Sequence, residues 1–171
     1  MLVLITYATC HGSTRSIAER IGERLTGHGN DVEVVAAHKV QHVWQYGAVV
    51  AGSAIHDGDW LPEGAEFLHR HVGELADRPL WLFNVGMASV GRRRFRRWFA
   101  THTQSPHTVA VERAFLNPHD VHYFAGVLER GHMPRRPRPF RWAFGGRVGD
   151  FRDWAEIDEW ALGITEKLAV E

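Results

Sequence analysis

The stretch TYATCHGSTRSIAER, residues 6–20, joins an apolar run to a helical pattern through a short polar loop with a single glycine. The run it continues, LVLITY (2–7), is unbroken rather than alternating, the pattern of a strand buried on both faces. Beyond the loop, Ile17, Ala18, Ile21 and Leu25 recur at helical spacing, and GHGN (27–30) supplies the residues that end a helix. A loop in that position opens onto unbonded backbone N–H groups and about half a positive charge from the helix dipole. Thr9, Ser13 and Thr14 add hydroxyls, Gly12 lets the backbone approach a ligand, and Cys10 and His11 contribute backbone amides. A phosphate group is the natural guest. The same residues also make an ordinary helix cap, so the loop alone leaves both readings open.

Working outward, DVEVVAA (31–37) and YGAVVAGS (46–53) read as a second and a third strand, with an exposed turn near HKVQHVWQ between them. A helix is predicted from about Pro62, with Phe67, Leu68, Val72 and Leu75 on one face, followed by a fourth strand in PLWLFNVG (79–86). RRRFRRWFATH (92–102) predicts a basic amphipathic helix and HDVHYFAGVLE (119–129) a fifth strand. Residues 130–150, rich in arginine, proline and glycine, predict an extended loop, and DWAEIDEWALGITEKL (153–168) a closing helix. Short buried strands alternating with helices give an α/β fold: a doubly wound, five-stranded parallel sheet with helices on both faces. No repeat or linker divides the chain, so residues 1–171 are expected to form a single domain.

Bulk composition narrows the function classes. The formal net charge is zero, which argues against a nucleic-acid protein. One cysteine makes no internal disulfide and fits a reducing, cytoplasmic setting. The N-terminus shows no basic segment or cleavage site of a leader, and no apolar run is long enough for a membrane span.

Cys10 and Arg15 raise the possibility of a cysteine phosphatase. They enclose one residue fewer than such a loop needs to aim its amides, and the downstream Asp-Pro acid is missing. A phosphoacceptor receiver domain would require an aspartate at the end of the third strand, where VVAGS has none. The loop Thr9-Cys10-His11-Gly12-Ser13-Thr14 instead resembles the FMN phosphate loop of flavodoxins, with His11 standing where the pattern has a hydroxyl residue.

That resemblance implies a flavin ring held at two further strand ends. Ser53, Ala54, Ile55 and His56 follow the third strand, and Trp60 offers a ring to stack. Asn84, Val85, Gly86 and Met87 follow the fourth and would meet the pyrimidine edge with backbone amides. His56 is the candidate proton donor. FAGVLE and GGRVGDFRDWAEIDEWA are similar to the fifth strand and closing segment of a particular branch, the menaquinone-dependent protoporphyrinogen oxidases. The implied activity is removal of hydrogen from a porphyrinogen-class substrate with a quinone as acceptor. An electron-transfer flavodoxin and an NAD(P)H-dependent quinone reductase remain alternatives, and a homodimer is left open.

The segments 92–97 and 130–147 hold eleven arginines interleaved with aromatic residues. Arg135, Arg136, Arg138 and Arg141 are candidates for contact with substrate carboxylates, with the inner face of a membrane or with an acidic redox partner, and a solvated loop would look the same. The twelve histidines show no ligand spacing with cysteine or carboxylate clusters, so no metal site is expected.

Overall fold

The structure, a computed structural model, describes residues 1–86, 108, 115–128 and 149–170. The predicted helix over 92–102 and nearly all of the predicted loop over 130–150 lie outside the described residues.

The chain alternates β1 (Leu2–Ala8), α1 (Ser13–Gly27), β2 (Asp31–Ala36), β3 (Ala48–His56) and β4 (Asp59–Trp60). Next come α2 (Pro62–Arg70), α3 (Val72–Ala76), β5 (Leu80–Gly86), β6 (Asp120–Ala125), β7 (Val127–Leu128), β8 (Gly149–Asp150) and α4 (Trp154–Leu168). Five strands form the parallel sheet expected from the sequence, in the order β2-β1-β3-β5-β6. Strand order reverses between β1 and β3, and in such sheets the crevice at that switch point is where ligands bind.

Period-two alternation distributes the apolar side chains over two faces. Leu4 and Ala8 join Phe67, Leu68 and Leu75 beneath α2 and α3, whereas Val3 and Ile5 join Ile17, Ile21, Ile157 and Ile164 beneath α1 and α4. This double burial explains why β1 reads as an unbroken apolar run. Helices α1 and α4 are also fastened by charge. Both oxygens of Asp158 accept from Arg20, at 2.7 and 2.8 Å, and Arg24 donates to the same carboxylate.

The structure redraws three predicted boundaries. The single helix after Pro62 is two helices, because the backbone at His71 leaves the helical region with φ −107° and ψ 13°. The buried His71 ring packs against Phe67 there, with centroids 5.2 Å apart. The fifth strand breaks at Gly126: β6 pairs with β5, and β7 turns to pair with β8 as a separate antiparallel ribbon. β8 in turn occupies the end of the stretch predicted as loop.

The third difference bears on function. β3 continues to His56 instead of stopping at Ser53, then reverses through Asp57 (φ 50°) and Gly58 (φ 90°) into β4. Two consecutive positive φ values make a two-residue hairpin turn, for which Asp-Gly is a favoured pair. What reads in the sequence as a loop is a β-arm.

Candidate functional site

The ends of β1, β3 and β5 are in register. Ala8 lies opposite Ser53, and Ser53 opposite Asn84. The loop after β1, the arm of β3 and the last residues of β5 therefore border one crevice.

At β1 the chain turns through residues 9–12 into α1. Gly12 holds φ 88°, and its N–H donates to Thr9 Oγ1 at 2.9 Å. A side chain at this φ costs about 1–2 kcal/mol, which is why glycine stands here. Its carbonyl takes the Ser16 N–H at 3.0 Å, while α1 has no side-chain cap and no acidic residue in its first turn. No acidic side chain of that first turn competes at this positive helix end. Thr14 is fully buried and its Oγ1 has no hydrogen-bond partner among the described residues. A buried hydroxyl left without a partner costs about 1–3 kcal/mol, so it marks a bonding requirement that a ligand can meet. Cys10 and His11 are exposed on the loop, and Ser13 is half-buried.

Several residues expected to face a ligand are used by the protein itself. Ser53 Oγ donates to the Ala54 carbonyl at 2.9 Å and accepts the Leu61 N–H at 3.0 Å. It pins the chain at the start of α2 rather than reaching into the crevice. Trp60 is only 5% exposed and sits in the core, its indole N–H donating to Asn84 Oδ1 at 2.5 Å. The expectation of an open stacking ring is thereby corrected: the hairpin carries Trp60 inward. Asn84 is buried as well, and its amide also donates to the His122 carbonyl at 3.4 Å. Ala54, Ile55 and Gly86 are half-buried at the strand ends, with Val85 buried beside them. His56 stands exposed at the arm's tip, its Nε2 3.5 Å from Asp57 Oδ2. Met87, Arg135, Arg136, Arg138 and Arg141 lie outside the described residues.

Sequence reasoning missed the ribbon at the other side of the loop. Gly126 packs so close that a Cβ there would stand 3.4 Å from Ser13 Oγ. The Phe151 N–H donates to the Gly126 carbonyl at 3.2 Å, and Arg152 Nη1 donates to Ser16 Oγ at 2.5 Å. The segment after β8 thus lies against the first turn of α1, a tertiary contact that no local pattern announces.

A second cluster occupies the β6 edge. His122 Nε2 is 3.3 Å from Glu156 Oε1, and Trp160 donates to Asp120 at 2.6 Å. Burial disfavours the charged form of His122, but bonding to Asp120 and Glu156 outweighs it and leaves the imidazole pKa raised. The cluster binds α4 to β6. Among the described residues, no group of three or more histidine, cysteine or carboxylate side chains could hold a metal ion.

A family model described as a flavodoxin domain matches residues 4–134. The chain belongs to the flavodoxin domain family. No curated protein matches. Among solved structures, a flavodoxin from the domain Archaea aligns over 99% of both chains at 15% identity, with a TM-score of 0.66. Oxidised flavodoxin 2 from Bacillus cereus aligns over 98% of this chain and 99% of its own, at 16% identity and a TM-score of 0.59. Rubredoxin oxygen:oxidoreductase from Desulfovibrio gigas matches 99% of this chain at 17% identity and a TM-score of 0.64. This flavodoxin-like chain spans 36% of that protein's length.

FMN is the cofactor indicated for a flavodoxin domain, and the residues at the crevice fit it. The uncapped helix end, the left-handed Gly12 and the unmet Thr14 hydroxyl suit a phosphate monoester. The in-register ends of β3 and β5 supply backbone for a flat ring.

Proposed function

We propose that this flavodoxin-like chain is an FMN oxidoreductase that takes hydrogen from a reduced, porphyrinogen-class substrate and passes electrons to a quinone. One observation carries the reading beyond electron transfer. FAGVLE and GGRVGDFRDW, the stretches that resemble the protoporphyrinogen oxidase branch, meet as β7 and β8, with Val127 opposite Asp150 and Leu128 opposite Gly149. The two stretches pair beside the phosphate loop.

Bound FMN would supply the redox chemistry; the protein supplies position and electrostatics. The amides of α1, with Thr9, Ser13 and Thr14, would hold the phosphate. The backbone at Ala54, Ile55, Val85 and Gly86 would orient the ring, with Trp60 and Asn84 fixing those strand ends from within. In this reading His56 Nε2 exchanges a proton with substrate at the open end of the crevice. Arg135, Arg136, Arg138 and Arg141 would receive substrate carboxylates or the inner face of a membrane, in a cytoplasmic protein. No described helix is long and apolar enough to cross a membrane.

Anaerobic mixing of the FMN-loaded protein with protoporphyrinogen and a menaquinone analogue tests the proposal, and porphyrin fluorescence should rise above the uncatalysed rate. Its failure to rise leaves the second reading, an electron-transfer flavodoxin, which the end-to-end match with the archaeal flavodoxin favours. That reading expects electron exchange with a redox protein partner and no turnover of a small substrate.

A further inference from the structure

We propose that Arg152 is a positioning residue for the phosphate end of FMN, reaching the binding loop through Ser16 from a segment remote in sequence. The inference rests on the assignment of FMN to the crevice and adds to it a residue outside the phosphate loop.

The geometry is a chain of hydrogen bonds ending at the loop. Arg152 Nε donates to Asp150 Oδ1 at 2.8 Å, and Nη2 donates to the other oxygen of the same carboxylate. The remaining terminal nitrogen, Nη1, donates to Ser16 Oγ, and Ser16 Oγ donates to the Ser13 carbonyl at 2.8 Å. Ser13 is the first residue of α1, and the Ser16 N–H holds the Gly12 carbonyl. Arg152 therefore bears on the two residues that aim the loop's amides.

The guanidinium is hydrogen-bonded at each of its three nitrogens and stacked on one face. Its side chain is 18% exposed, and its Cζ lies 4.5 Å from the centroid of the Trp154 ring. Phe151 fixes the backbone beside it to Gly126. The ion pair is also oriented: Asp150 is 46% exposed, while the cationic end touches the first turn of α1. A solvent-facing pair would contribute little. Here the positive end adds to the dipole of an N-terminus that has no acidic residue in its first turn. Lysine cannot reproduce the fork, because an ammonium is a point charge without fixed donor directions.

The expected signature is a preference for phosphate. Riboflavin shares the ring of FMN and lacks the phosphate, so a residue acting at the loop separates the two ligands. The full chain, freed of flavin, is titrated with FMN and with riboflavin by flavin fluorescence in the native protein, Arg152→Met, Arg152→Lys and Ser16→Ala. Arg152→Met should weaken FMN about tenfold, the scale of one hydrogen bond to a charged group, and change riboflavin less than about twofold. Arg152→Lys should recover part of the loss, and Ser16→Ala should weaken FMN in the same direction with Arg152 and Asp150 still present. Equal losses for both flavins, or unchanged FMN affinity, overturn the inference. If Arg152→Met does not fold, Ser16→Ala decides on the same criterion. A native chain that takes up neither flavin overturns the cofactor assignment and this inference together; native FMN binding with an unaffected variant overturns this inference alone.

Discussion

The indole N–H of Trp60 donates to Asn84 Oδ1 across 2.5 Å, joining the end of β4 to the end of β5 inside the core. Both residues are buried beneath the strand ends, and neither depends on a ligand for its partner. Trp60→Phe keeps an aromatic ring but leaves a buried amide oxygen without its donor. The expected cost is about 1–3 kcal/mol, read as a lower urea midpoint at unchanged slope. An unchanged midpoint would mean that the bond does not hold the arm.

Thr14 gives a prediction of opposite signs in one variant. Its hydroxyl is buried without a partner among the described residues, so Thr14→Val should leave the flavin-free protein at least as stable as the native chain. The same change should weaken FMN by about tenfold if the phosphate is what satisfies that oxygen. Thermal unfolding with and without FMN measures both. Loss of stability in the flavin-free protein would show that the hydroxyl is used internally.

At Gly12 the backbone conformation decides the outcome. Gly12→Ala meets open space but must adopt φ 88°. The expected strain is about 1–2 kcal/mol, which translates into roughly five- to thirtyfold weaker FMN binding if the loop relaxes when empty. Isothermal titration reads the change, and native affinity would show that the loop does not need its left-handed turn.

His122 makes stability depend on pH. Its folded pKa is raised, so its contribution is fully present below the unfolded value of about 6.5 and is lost as pH rises through the folded value. Denaturation midpoints of the native chain should therefore fall across neutral pH, and His122→Gln should flatten that part of the profile. Asp120 behaves oppositely. Its pKa is lowered, chiefly by His122, so its contribution is lost as pH falls through the acid range.

Asp158 supplies an electrostatic test at the α1–α4 contact. Its carboxyl is held far below the usual carboxylate range by hydrogen bonds from Arg24 and Arg20. Asp158→Asn should lower the midpoint at neutral pH, and the gap from the native chain should narrow in high salt because these side chains are partly exposed. It should also narrow in strong acid, where the native carboxylate is protonated. A gap insensitive to salt would assign the effect to packing.

The succession of strands and helices and the polar turn between β1 and α1 were legible because both are local. The unbroken apolar run of β1, the helical spacing after it and the glycine between them each follow from one short window. The roles of Ser53, Trp60 and Asn84 were not legible, since a polar or aromatic residue at a strand end reads the same whether it faces a crevice or the core. The Asp57-Gly58 pair was a usable sign that the third strand turns back as a hairpin. Arg152 gave no such sign. Its partner on α1 is far away in sequence, and only the packed fold brings the two together.

The pairing of Leu128 with Gly149 has a consequence for how this chain can change. It sets Leu128 and Gly149 side by side. Doubling the length of a flexible connection costs only about 0.6 kcal/mol in closure entropy. The ribbon is therefore a natural graft point: a longer, shorter or foreign segment can be spliced between its strands while the sheet and the β1–α1 loop keep their geometry. New specificities can arise there without rebuilding the part of the molecule that holds the cofactor.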